Sequence, residues 1–546
     1  MPINWQWYTF EMGDHSVKPI VEVKRWKVHQ FWYLVWLVGF GLLVVAFFLF
    51  QEWRLSGGLG GVPLDDSWIH YRFAENLRSG MGFAFNPGVP TPGSTSPLWV
   101  GLLAVIGQGY LLPSKIIGIL AYLGTGCMVF LLGKFLGLRP GFAFLAGLGT
   151  LAVGRLAWAA PSGMETTMFS LMSLIALWAW AHESKNSIRI STSLIFGCAC
   201  LLRPEGILLL ALSGLAQVVR GGLGRANLIQ VARHFTLAGI VIAPYVVFSY
   251  LSSGHLLPNT FYAKSTTWNC QVGPGYFFWI SGVFLLDNPV MTLLAGWGMV
   301  WTVKSGKWRD LPTIALAGAW CLGLPLLYGF LAPCISAYYM RYTTPLIPIM
   351  MLFAAFGSQW LGNLLTTWLE KRGNASQIHG DWLMYSLGIE GLCLAMIPTL
   401  AFWAPYYGQS VADIESMQVR IGNWLAEHSQ PNDVLAVNDV GAIGSLADRE
   451  VIDLMGLTTP EVLAFVTGKT PGEWDAALAD LLRQRRPEYL VIFPNWFPML
   501  AADLPVTPVY RVNLPPRNLI GIPGITVAGG GEMVVFQFTW AEGQQP

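Results

Sequence analysis

Two adjacent carboxylates, Asp65 and Asp66, open the segment DDSWIHYRFAEN at residues 65–76, and their neighbours give them chemistry to do. If the segment is helical, Asp65, Ile69, Arg72 and Asn76 follow one another at helical spacing, so a carboxylate, a guanidinium and an amide share one stripe. One aspartate could act as general base toward an attacking hydroxyl once burial or its neighbour lifts its pKa. The pair could also ligate a divalent cation, magnesium or manganese, on a leaving phosphate, with His70 completing a metal site. The plainer reading is a juxtamembrane helix with a capping Asp and a surface ion pair. The residues alone leave base and metal roles open.

Further polar groups recur beside apolar runs: Glu165 in GMET, Arg203 and Glu205 in RPEG, His255, Asn259, Tyr262 and Lys264 in HLLPNTFYAK, and Arg341 in YYMRY. Each alone reads as a helix cap or an ion pair at the end of a span. Arg203 stands between two short apolar runs and before Pro204, where a helix break at membrane depth needs a reason. Lys264, Arg341 and Arg72 together could hold an anionic group such as a lipid phosphate.

The elements that must position these groups follow from composition. Of 546 residues, 54% are hydrophobic and 12% charged, about half the charged share of a soluble protein, which points to lipid as the main solvent. A net charge of +1 gives no ground for a nucleic-acid partner. Residues 1–30 read as a cytoplasmic segment, and the apolar run 31–50 as an uncleaved signal anchor, long enough to cross a hydrocarbon core of roughly 30 Å. Further runs at 115–137, 140–158, 166–181, 190–202, 206–219, 235–252, 283–303, 311–331, 342–362 and 383–403 bring the expected spans to about eleven. With the N-terminus in the cytoplasm, the cytoplasmic turns carry roughly twice the Lys and Arg of the opposite ones, as the positive-inside rule requires. All the unusual polar residues then collect on the extracytoplasmic face, the first loop being 51–114 with interfacial helices, near 97–112 among them.

From about residue 404 the composition turns soluble, and an extracytoplasmic α/β cap domain is expected over 404–546, with a helix near 410–428, strands at 434–438 and 489–493 and a helix near 473–485. Its VNDVGAIG stretch follows a strand but lacks the full dinucleotide fingerprint, so no nucleotide site is expected. The seven cysteines show no metal spacing; Cys270 and Cys334, both extracytoplasmic in this topology, could pair.

DDSWIHYRFAENLRSGMGFAFNPG, TSPLW, GMET, LLRPEG, LPNTFYAKS, MRYTTPLIP and the distal NDVGAIG and VIDLMGL, in this order over residues 60–460, resemble the mycobacterial terminal arabinofuranosyltransferase family of the glycosyltransferase C (GT-C) superfamily. The resemblance implies a GT-C membrane enzyme that moves a sugar from a polyprenyl-phosphate donor to a cell-envelope glycan or protein acceptor outside the cytoplasmic membrane, with its first-loop aspartates at Asp65 and Asp66. On that reading Arg72, Arg203, Lys264 and Arg341 take the donor phosphate, and Asn76, Glu165, Glu205, His255, Asn259 and Tyr262 meet sugar or acceptor hydroxyls. The stretch VPTPGSTSP departs from the family's more acidic loop, which leaves sugar and acceptor open. The rivals are a transporter or flippase of lipid-linked sugars, which should place its polar groups near the midplane, and a glycan-binding scaffold.

Overall fold

The computed structural model describes residues 21–540 apart from 185–186, 267–274, 332–340, 372–376, 468, 470, 516–517, 520–521 and 524–525. Cys270 and Cys334 therefore lie outside the described residues, as does most of the segment expected to be cytoplasmic.

Every expected apolar run falls on helix. The chain begins with α1 (Val21–Leu55), then α2 (Asp66–Arg78) and α3 (Pro97–Ile106) in the first long loop, and returns through α4 (Leu111–Phe135), α5 (Pro140–Ala152), α6 (Gly154–Ala159), α7 (Thr166–Ala181), α8 (Ile190–Leu202), α9 (Gly206–Gly221) and α10 (Arg225–Ser253). After α11 (Asn259–Thr266) come α12 (Gly275–Asp287), α13 (Pro289–Lys304), α14 (Lys307–Asp310), α15 (Pro312–Leu331), α16 (Ile347–Lys371) and α17 (Gln377–Ile414). Among the described residues, five stretches are long and apolar enough to cross a membrane: Gln30–Leu55, Leu111–Phe135, Arg225–Ser253, Pro312–Phe330 and Thr344–Lys371. At 1.5 Å per residue each reaches close to the roughly 30 Å hydrocarbon thickness or exceeds it. The last is 83% buried in its most apolar stretch and packs chiefly against α13, α5 and α17. A buried polar tie among the helices is satisfied internally: Arg155 of α6 bonds Asp287 of α12 at 2.8 Å, and Trp403 of α17 donates to the same carboxylate at 3.0 Å.

The expected boundary at 404 falls inside a continuous rod. Helix α17 runs past it, passes through a π-helical turn at Glu415–Val419 and continues as α18 (Arg420–His428). The domain beyond contains β1 (Val434–Val437), α19 (Val440–Ala447), β2 (Glu450–Asp453), α20 (Pro460–Val466), α21 (Pro471–Arg485), β3 (Tyr489–Ile492), β4 (Val506–Asn513), a two-stranded hairpin of β5 (Asn518–Leu519) and β6 (Ile522–Pro523), and β7 (Glu532–Phe538). Its main sheet has the order β2-β1-β3-β7-β4, with β2, β1 and β3 parallel and β7 antiparallel to both neighbours.

Period-two patterning decides how this sheet sits. Ala436, Ile452, Leu490 and Ile492 pack on one face with Leu478 and Leu482 of α21. Leu435, Val437, Val451, Tyr489 and Val491 turn to the other face, where they join Ile421 and Leu425 of α18, Ile443 of α19 and the core of the helical bundle. A one-residue slip would exchange the two sets, so burial on both faces fixes which side of the sheet meets the bundle. That side carries α19, and α19 lies against α2.

Candidate active site

Helix α2 presents two polar stripes one residue out of phase, and they face different things. Asp65, Arg72 and Asn76 point to the C-terminal domain and to the loop after α2. Asp65, which sits where it could cap its own helix, makes no such cap. It caps α19 instead: its two carboxylate oxygens accept from the backbone N–H of Gly441 at 2.6 Å and Ala442 at 2.7 Å, the second and third residues of that helix. Arg72 donates to the Phe85 carbonyl at 3.2 Å and to Asp448, just past α19, at 2.6 Å. Asn76 donates to the carbonyls of Ala84 and Phe85 at 2.9 and 2.8 Å, which folds the loop back on its helix. The stripe anticipated from spacing exists, and it is a docking surface.

The electrostatics of this joint are set by Asp439, the residue before α19, whose carboxylate accepts from Gln418 at 2.6 Å. Burial pushes Asp65 up to about 6 even though the Ala442 and Gly441 amides pull the other way. Burial and the adjacent Asp65 charge hold Asp439 well above the usual carboxylate range. Of this facing pair of carboxyls, Asp439 is the more strongly shifted toward its protonated form.

The other stripe, Asp66, Ile69 and His70, lines a cleft of about 370 Å³, mouth included. Gly93, Ser94, Thr95, Met164, Glu165, Arg203, Thr260, Arg341, Tyr342 and Leu457 complete its wall. Asp66 pairs with Arg341. His70 bridges Ser94 Oγ at 3.1 Å and Glu165 Oε2 at 3.4 Å. Glu165 stands at the N-terminal boundary of α7, makes no side-chain cap there, and pairs with Arg203. Burial alone would raise its pKa, but Arg203, then His70, outweigh burial and hold it at about 2. Arg203, in the break between α8 and α9, also reaches Glu205 at 2.6 Å and lies 4.8 Å over the Tyr342 ring. Glu205 in turn accepts from Tyr328. The break between α8 and α9 thus carries a buried cation that three partners, Glu165, Glu205 and Tyr342, hold in place.

The remaining expected residues scatter. Asn259 is fully buried, its backbone N–H donates to Pro92 at 3.0 Å, and its side-chain amide has no partner among the described residues. His255 is exposed, its ring tilted against that of Tyr262 with centroids 4.5 Å apart; neither lines the cleft. The Lys264 side chain lies outside the described residues. Asp65, Asp66 and His70 do not converge as metal ligands, because Asp65 spends both oxygens on α19 and His70 is held between Ser94 and Glu165. Among the described residues no group of three His, Cys, Asp or Glu side chains is set to hold a metal ion.

Several wall residues carried no role in the sequence. Thr95 and Tyr342 lie in TSPLW and MRYTTPLIP, and Leu457 in VIDLMGL, so their presence in those ordered motifs was the available signal. A second, larger cavity of about 1120 Å³, open space at its mouth included, adjoins the cleft and shares Thr95, Arg203, Thr260 and Tyr342 with it. Its other walls are mostly apolar: Pro204, Ile207, Leu208, Ala211, Leu257, Phe261 and Leu327, with Glu205 and Tyr328 at the junction.

The comparisons with known proteins agree with this architecture. A domain of unknown function (DUF8728) matches residues 409–533, the C-terminal part that docks on α2. No curated protein matches the chain by sequence. Among solved structures, ArnT from Cupriavidus metallidurans bound to undecaprenyl phosphate aligns with a TM-score of 0.56 at 13% identity, covering 91% of this chain and 98% of that one. The apo form of the same protein aligns with a TM-score of 0.55 at 15% identity, covering 91% and 97%. The chain has the GT-C fold of ArnT, with a C-terminal α/β sheet.

Proposed function

We propose that the chain is a membrane glycosyltransferase that takes a sugar, arabinofuranose being one candidate, from a polyprenyl-phosphate donor and passes it to a glycan or protein acceptor of the cell envelope on the extracytoplasmic face. The observation that carries this reading is the union of the two cavities. A charged cleft opens into a mostly apolar groove through four shared residues, Thr95, Arg203, Thr260 and Tyr342, which matches an amphiphile with a prenyl tail and a phosphate-linked head. The ArnT structure that shares this fold is one bound to undecaprenyl phosphate, which supports a carrier of that class.

On this reading the prenyl chain lies in the groove, the phosphate sits at Arg203 and Arg341, and the sugar lies deeper, beside Asp66. The acceptor oxygen bonds to the anomeric carbon as the bond from that carbon to the phosphate oxygen breaks. Polyprenyl phosphate leaves, and the acceptor proton passes to Asp66. Glu165 and His70 keep Arg203 and the cleft floor in place. The arginines stabilise the charge that grows on the departing phosphate, and the docked loops hold the reactants in register.

The test is turnover by the purified chain in nanodiscs, supplied with polyprenyl-phosphate sugars and envelope glycan or peptide acceptors. Donor consumption by the intact chain and its loss in Asp66→Asn are expected. A wild-type rate in Asp66→Asn would remove Asp66 from the chemistry, and transport of the lipid-linked sugar without transfer would favour a flippase.

A further inference from the structure

The lining of the cleft falls into two sets. Thr95, Arg203, Thr260 and Tyr342 belong also to the apolar groove and so to the carrier. Asp66, Gly93 and a residue of the C-terminal domain, Leu457, line the cleft and not the groove, Gly93 being joined to the shared wall where its carbonyl accepts from the Thr260 hydroxyl at 2.7 Å. We propose that Leu457 is a specificity-determining contact for the transferred sugar, its side chain bounding the space beside Asp66 and setting how large a glycosyl group the cleft admits. The proposal rests on the glycosyltransferase reading above.

The turn that carries Leu457 is built to hold it still. The buried Asp453 carboxylate accepts from the backbone N–H of Met455 at 2.9 Å and of Thr458 at 2.7 Å, and from the Thr458 hydroxyl at 3.2 Å. Gly456 takes a φ of 73°, the left-handed conformation that closes the turn. Strand β2, which leads into the turn, is tied to the first loop by a reciprocal pair: Asn86 donates to the Val451 carbonyl at 2.8 Å and accepts from its N–H at 2.9 Å. Across the cleft edge, a Cβ on Gly93 would lie 2.9 Å from the Leu457 carbonyl and 3.0 Å from the Phe73 ring, so the absence of a side chain there is what lets the turn come this close. Leu457 itself is half-buried and packs against the core of the bundle.

An aliphatic side chain forms no directional bond to a sugar hydroxyl, so Leu457 acts through shape. A hexose differs from a pentose by one hydroxymethyl group, and Leu457→Ala removes three carbons from the wall. Pockets discriminate a single methylene by about 10–200-fold, so a change of this size should be visible in donor preference.

The experiment is a binding titration of the full chain in nanodiscs with three probes: decaprenyl phosphate, decaprenyl-phosphate pentose and decaprenyl-phosphate hexose. Leu457→Ala should move the hexose-to-pentose Kd ratio toward the hexose by about tenfold or more, and Leu457→Phe should move it the other way, while affinity for bare decaprenyl phosphate stays at the wild-type value. Opposed shifts from two variants cannot come from partial unfolding. Wild-type ratios in both variants, or a loss of bare-carrier affinity in step with the sugar donors, would overturn the assignment. A wild-type chain that binds none of the three probes would sink the glycosyltransferase reading itself, and the inference with it.

Discussion

Gly441→Ala is the sharpest probe of the contact between the two halves of the molecule, because it alters no charge and no residue of the cleft. A Cβ at this position would lie 2.0 Å from the Asp65 carbonyl oxygen and 2.5 Å from its Oδ2. Relieving that overlap to an ordinary carbon–oxygen separation of about 3.3 Å moves α19 off α2 by more than about 1 Å. Bonds now at 2.6 and 2.7 Å would then stretch beyond hydrogen-bond range. Each such bond to a charged acceptor contributes about 1.5–3 kcal/mol. Water entering the opened joint recovers part of this, and alanine's better helix propensity returns about 1 kcal/mol. A net loss of ~2–3 kcal/mol remains, which corresponds to about 30–150-fold in the docking equilibrium. Hydrogen exchange followed by mass spectrometry should show that increase in the segments 438–447 and 454–459. The value of kcat/KM for lipid-linked donor should fall as Asp66 and Leu457 lose their register. Gly531→Ala, in the same domain and with nothing within 4 Å of its Cβ, should leave both readouts unchanged. Wild-type exchange and turnover in Gly441→Ala would refute the docking account.

Asp66→Asn should lower kcat by about 10²–10⁴-fold, the range of a lost general base, with a smaller effect on donor Kd, measured by steady-state kinetics and donor binding. Asp65→Asn should instead change stability with pH. The folded pKa of Asp65 is raised to about 6 from 3.8 by burial, so the pH-linked part of its contribution, separate from its two amide bonds, is present in full below about pH 3.8 and is lost as pH rises through about 6. The wild-type Tm, followed from pH 4 to 7, should carry that slope, and Asp65→Asn should reduce it; an unchanged slope would clear Asp65 of the dependence. Glu165→Gln breaks a buried pair and should cost about 3–5 kcal/mol at neutral pH, read as a fall in Tm. Glu165 is depressed to about 2 from 4.5, so its contribution is present above about pH 4.5 and is lost as pH falls through about 2; the penalty of the variant should not vary across pH 5–8.

How much of this was legible in the sequence differs by level. The apolar runs identified the helices because a lipid-facing or core helix needs an unbroken hydrophobic stretch, and α/β periodicity located β1, β3 and α21 to within a few residues. The boundary at 404 could not be seen, since α17 keeps helical patterning as its surroundings change from bundle to sheet. In the site, Asp66, His70, Glu165, Arg203 and Arg341 are brought together from segments far apart in the chain. Their sequence signal was polarity next to apolar runs. Arg72 and Asn76 gave the same signal for another reason. A helix with polar groups on two stripes shows its period, and nothing in 65–78 says that a domain some 370 residues later will cover one of them. Likewise VNDVGAIG offers a helix N-terminus fit for an anion, and its anion proves to be a carboxylate of the chain itself.

The division of labour between adjacent carboxylates has a consequence for the charge of the cleft. Arg203 faces Glu165 and Glu205, all three nearly inaccessible, whereas Arg341 faces Asp66, whose side chain is 21% exposed. An entering phosphate therefore meets one cation clamped by two buried acids and another whose counter-ion can turn away into the cleft. Under the proposed function, the phosphate competes with Asp66 for Arg341, and displacing Asp66 frees a carboxylate beside the anomeric carbon. Donor binding would then create the base that the acceptor needs, so an acceptor arriving first would meet Asp66 still neutralised by Arg341. Asp65 is committed elsewhere, because turning it toward the cleft would strip two amides of α19 of their acceptor. Two neighbouring aspartates, rotated about 100° apart on one helix, thus serve different ends: one holds the domain that closes the cleft, and the other works inside it.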